Sequence, residues 1–114
     1  MKQEDRTDLY LDVLIEAMDN VIEYLEGMTF SEFSKDKMRM DAVLRNIQIM
    51  GEAARNLPDT LKEEHPEVPW KRIIGLRNIV VHAYFGVDQQ MIWKIGTENI
   101  PQTRPLIAAI RKVK

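Results

Sequence analysis

A chain of 114 residues has room for one ordinary domain with a real core and for little else. Cysteine is absent, which excludes a disulfide framework, a thiolate metal site and a cysteine nucleophile. The apolar fraction of 45% and charged fraction of 30% are those of a soluble globular protein, and a net charge of −2 at first argues against a nucleic-acid partner.

The start, Met1 to Asp8, is polar and leads into an amphipathic pattern, not into the apolar core of a signal peptide. No apolar run approaches the about 20 residues of a membrane span, so a cytoplasmic protein with no membrane partner is expected. Leu11, Leu14, Ile15, Met18, Ile22 and Leu25 recur at three- and four-residue steps, the stripe of a first helix. The opposite stripe, Asp12, Glu16, Asp19, Glu23 and Glu26, is wholly acidic, and Gly27 ends the helix. A second helix carries Met40, Val43, Leu44, Ile47, Met50, Ala54 and Leu57, backed by Asp41, Arg45, Gln48, Glu52 and Arg55, and Pro58 closes it.

Residues 58 to 69 hold three of the five prolines and read as a connector with one short helical turn. Trp70 opens a third helix that Gly86 ends. Asp88 suits the N-cap of a fourth, with Val87 and Ile92 spaced for a hydrophobic staple. Pro101 and Pro105 fit near the start of a last helix containing Leu106, Ile107, Ile110 and Val113. One all-α domain of four or five helices over residues 1–114 is the expectation.

The third helix differs from the others. Trp70, Ile73, Ile74, Leu76, Ile79, Val80, Val81 and Ala83 cover nearly its whole circumference, so it is expected to be the central one. The main polar gap contains Lys71, Gly75, Asn78 and His82, with Asn78 and His82 four residues apart on one face. Arg77 lies roughly 140° from His82 at about 100° per residue, inside the apolar arc. A guanidinium there cannot shed its charge and needs a partner or a wet interface. Each residue also has an ordinary reading. A histidine at a helix end usually caps it or sits on the surface. An arginine in an apolar arc is more often paired with a carboxylate, for which Glu52 is the candidate, than catalytic. Arg45 and Glu52 share a helix face and could line a cleft or form a structural salt bridge. His65, beside Glu63, Glu64 and Glu67, reads as part of a solvated loop and not as a metal ligand. Periodicity alone marks Arg77, Asn78, His82 and Tyr84 as unusual without naming their chemistry.

The run Arg77-Asn78-Ile79-Val80-Val81-His82-Ala83-Tyr84 resembles the R-x4-H-x-Y motif of HepT-like HEPN proteins. His65-Pro66-Glu67-Val68-Pro69-Trp70 is similar to the Pro-x-(Ile/Val)-Pro-Trp segment that precedes it in that family, and Arg45-Asn46 with Gly51-Glu52-Ala53 to its second helix. The resemblance implies a four- to five-helix HEPN bundle that dimerises and brings two R-x4-H segments into one cleft. It implies a metal-independent endoribonuclease with no cofactor, the toxin of a type VII-like toxin–antitoxin pair, cutting tRNA or mRNA and not DNA. His82 would be the general acid or base, Arg77 would stabilise phosphorane charge, and Asn78 would orient a phosphate or His82. Tyr84 would accept AMP from a minimal nucleotidyltransferase antitoxin, which silences the toxin. The alternative is a non-catalytic HEPN protein that serves as partner or substrate of such a nucleotidyltransferase.

The resemblance sends the charge back for rereading. Residues 1 to 34 carry −7, residues 35 to 70 carry −1 and residues 71 to 114 carry +6. The expectation is that the C-terminal half meets a polyanion while the acidic first helix faces elsewhere.

Overall fold

The computed structural model describes residues 3–84 and 88–113, with the side chains of residues 6–79 and 88–113. Among the described residues every regular element is helical: α1 (Gln3–Leu25), α2 (Phe30–Lys35), α3 (Lys37–Arg55), α4 (Asp59–Glu64), α5 (Trp70–Tyr84), α6 (Gln89–Lys94) and α7 (Ile100–Val113). None is long and apolar enough to cross a membrane. The all-α expectation holds.

α1 and α3 form the centre. α1 packs against α3 on one side and α7 on the other, and α5 packs on α3. Leu11, Leu14, Met18 and Val21 of α1 are fully buried against Val43, Ile47 and Met50 of α3 and Ile107 of α7. The buried arc of α1 is turned slightly from the expected stripe. Ala17 and Val21 enter the core, while Ile15 and Ile22 are only half-buried. The cause is the second neighbour: a helix flanked on two sides buries a wider arc than one stripe supplies. The residues of the acidic stripe are exposed, and Gly27 ends the helix as expected, turning the chain at φ 76°, where a side chain would be strained.

Several local features were in the sequence and others were not. Asp88 caps α6 as expected, accepting the Met91 N–H at 3.1 Å. The proposed staple partner Val87, and Phe85 and Gly86, lie outside the described residues. α2 was not expected, although Thr29-x-x-Glu32 is a capping-box pattern and closes as one, Thr29 accepting the Glu32 N–H at 3.1 Å. Nor do the last two helices separate. A π-helical stretch, Ile95–Asn99, joins α6 to α7, and Pro101 and Pro105 both lie within α7. Pro101 has no N–H for the Thr97 carbonyl, and the wider turn takes up the irregularity without breaking the helix. Within this stretch Gly96 lies against α1, where a Cβ would collide with Leu25 and stand 3.2 Å from Val21.

Candidate active site

α5 begins at a well-anchored point. Trp70 is buried, and its indole N–H donates to the His65 carbonyl at 2.9 Å. The connector's own bond from the Trp70 N–H to the Val68 carbonyl, 2.8 Å, aims the first turn. His65 itself pairs with Glu67, Nδ1 to Oε2 3.3 Å. Among the described residues no three His, Asp or Glu side chains are placed to hold a metal ion.

From that start α5 is a flanking helix, not the central one expected. Ile73 and Leu76 are buried, but Ile74 and Ile79 are only half-buried. The all-round apolarity counted in the sequence is not matched by neighbours on every side. Instead, α5 borders an apolar cavity of about 630 Å³, lined by its Ile73, Leu76 and Ile79 together with Met50 of α3, Met91 and Ile95. The polar stripe is where the wheel placed it. Lys71 and Asn78 are exposed, and open space lies before Gly75, with nothing within 4 Å of a would-be Cβ.

Arg77 lies on the α3 side, where its Nε stands 2.6 Å from Glu52 Oε1. The approach depends on Gly51. A Cβ at that position would come within 2.8 Å of Arg77 Cγ and 3.3 Å of the Ile73 carbonyl oxygen. The arginine stem therefore lies over a bare stretch of α3 backbone, and the next residue along α3 supplies the carboxylate for its head. Glu52 turns to Arg77 and not to Arg45, so the alternative of a salt bridge within α3 is not what forms. Arg45 and Glu52 both line a surface groove of about 410 Å³ between α1 and α3, with Tyr10, Gln48, Ile49 and Asn56. With Arg77 41% and Glu52 45% exposed, water and solutes reach the pair.

The backbone of His82 and Tyr84 continues α5, whereas their side chains lie outside the described residues. The structure thus brings Arg77 and Glu52 together at the α3–α5 contact, leaves Asn78 exposed on α5 and Arg45 in the groove between α1 and α3, and continues the backbone of α5 to His82 and Tyr84. Sequence reasoning named Gly51 only within the family resemblance and gave it no steric role, because that role comes from another helix lying across it. An open-faced helix with a planar, charged donor held at its side suits binding of a phosphate group.

The division of charge is not spatial at α7. Arg104 forms a forked pair with Asp19 at 2.8 and 3.1 Å, and Arg111 Nε reaches Asp12 at 2.7 Å with Asp8 at 3.8 Å. The acidic helix does not simply face away from the basic segment: part of each neutralises the other. Opposite charges 85 and 99 residues apart in sequence meet because α1 and α7 are packed side by side.

A model of the family described as "Ribonuclease HepT-like" matches residues 14–110. A Methanocaldococcus jannaschii protein provisionally named an RNase is 39% identical over 104 residues, 91% of this chain and 94% of the relative. A Thermococcus cleftensis protein provisionally named ribonuclease HepT is 38% identical over 103 residues, 90% of this chain and 94% of the relative. A Caldanaerobacter subterraneus relative, also provisionally an RNase, is 37% identical over 101 residues, covering 89% and 90%. No solved structure gives a significant match. Motif, all-helical architecture and these likenesses agree, and the chain belongs to the ribonuclease HepT-like family of enzymes.

Proposed function

We propose that residues 1–114 act as one HEPN-type domain, a metal-independent endoribonuclease that is the toxin of a toxin–antitoxin pair. The observation that carries this reading is Arg77, held beside Glu52 on a helix that continues to His82. In the reaction the 2′-oxygen of RNA attacks the adjacent phosphorus and the 5′-oxygen leaves. The products are a 2′,3′-cyclic phosphate and a 5′-hydroxyl. One proton leaves the 2′-hydroxyl and another reaches the 5′-oxygen, the transfers a histidine serves as base or acid near neutral pH. The Arg77 guanidinium meets the charge that builds on the phosphoryl oxygens, and exposed Asn78 helps to orient the phosphate.

Arg77 and His82 diverge around one helix, so the cleft is shared: two copies related by a two-fold axis contribute to it together. Tyr84, two residues beyond His82, receives AMP from a partner nucleotidyltransferase. The added negative charge repels RNA and obstructs the cleft.

The test uses purified protein with 5′-labelled RNA in EDTA. Wild type is expected to cleave, Arg77→Ala and His82→Ala to fail alone, and an equal mixture of the two to regain part of the activity through mixed dimers. Full activity in His82→Ala would falsify the nuclease reading. A mixture as inactive as its parts would remove the shared cleft. If wild type cleaves no RNA, the non-catalytic partner of a nucleotidyltransferase becomes the better reading. Co-expression with such an enzyme should add AMP-sized masses to the chain, and their persistence in Tyr84→Phe would place the modification elsewhere.

A further inference from the structure

Three features of the α3–α5 crossing have so far stood apart: the bare backbone at Gly51, the 2.6 Å contact of Arg77 with Glu52, and the exposure of both side chains. A half-exposed ion pair contributes little to stability, because water screens it and two long side chains are ordered to make it. Its value must be sought in what it does to the arginine. A free arginine explores many rotamers, and freezing them costs free energy at the moment of use. Here two adjacent residues of α3 restrict it beforehand. Gly51 leaves room for the stem, and the Glu52 carboxylate makes its ion pair at Nε. An arginine carries five N–H donors, and the four on the terminal nitrogens lie beyond that contact, where a phosphate can meet them.

We infer that Gly51 and Glu52 together form a seat that positions Arg77, and that Glu52 is a positioning residue for cleavage and not a structural ion-pair partner. The inference rests on the reading of Arg77 as the group that meets the phosphoryl charge. It makes a prediction of unusual sign. A carboxylate beside a polyanion site opposes binding, so its removal by electrostatics alone strengthens the hold on RNA. If the seat matters, removal also slows the chemical step, since Arg77 must then find its place in each turnover.

The experiment is steady-state cleavage of 5′-labelled random-sequence RNA by the full chain, comparing wild type, Glu52→Gln, Glu52→Asp and Arg77→Ala. Glu52→Gln is expected to lower kcat on the order of ten- to a hundredfold, with KM unchanged or lower. Glu52→Asp should recover part of that loss. An unchanged kcat in Glu52→Gln, where Arg77→Ala is inactive, overturns the seat and leaves the nuclease reading standing. An active Arg77→Ala removes that reading and the seat with it. Nitrogen-15 NMR of the arginine Nε–Hε groups follows the seat without RNA. The Arg77 resonance should shift in Glu52→Gln, and an unmoved resonance overturns the seat even if wild type cleaves nothing.

Discussion

Gly51 is the residue on which the site's geometry turns. Gly51→Ala places a methyl group within 2.8 Å of Arg77 Cγ and 3.3 Å of the Ile73 carbonyl, and a backbone oxygen cannot swing aside as a side-chain end can. The helix-propensity gain of Ala over Gly, about 1 kcal/mol, is opposed by overpacking of about 1–3 kcal/mol. The expected outcome is a net loss of stability in urea unfolding, with RNA cleavage reduced as Arg77 is pushed off Glu52. A more stable and equally active variant would mean that α5 can slide along α3. Nothing in the run Met50-Gly51-Glu52 announces this. A small residue on a helix face is legible as small, but what crosses it belongs to another segment. Asn46 is similar: a polar residue within an apolar stripe, it is buried because Asn20 of α1 donates to it at 3.0 Å and it donates to the Ala42 carbonyl at 2.9 Å. Arg77 was more legible. An arginine in an apolar arc demanded a partner, and Glu52, the candidate carboxylate, is the one that meets it.

At the level of whole elements, periodicity located the long helices well and misjudged how they are shared out. α1 and α3 are read correctly because each has a clear polar face. α5 has almost none, and a helical wheel records apolar surface without saying what covers it. Its flanking place leaves Ile74 and Ile79 half-buried. The joint between α6 and α7 was hidden for another reason. Proline signals a helix start in most settings, whereas here the chain runs on through a π turn into α7. The seam between α1 and α7 yields a prediction of modest size. Asp19 raises the Arg104 guanidinium above its ordinary value, first by hydrogen bonding and then by its charge. A cation favoured by folding adds stability at every pH below the usual arginine range and loses it only as pH climbs beyond. Since the pair is largely exposed, Arg104→Ala should lower unfolding stability by about 0.2–1 kcal/mol near neutrality, and by less in high salt. A loss of several kcal/mol in urea titrations would show that the pair is not screened as its exposure implies.

For the molecule as a whole, the sequence divides charge by position along the chain, whereas folding brings the divided parts together. The −2 total first looked like an obstacle to RNA, and the segment values then looked like a division of labour. The fold modifies both views, because Arg104 and Arg111 are engaged by Asp19 and Asp12. Of the basic segment, Lys71 and Arg72 near the start of α5 are exposed, and Arg77 is half-exposed beside Glu52. The seam also has a consequence in time. Arg111 and Asp12 are 99 residues apart, so a ribosome adding about 5–20 residues per second makes α1 wait roughly 5–20 s for α7. Until then, the face of α1 that receives Ile107 stays uncovered, and the core is closed only once α7 has been made.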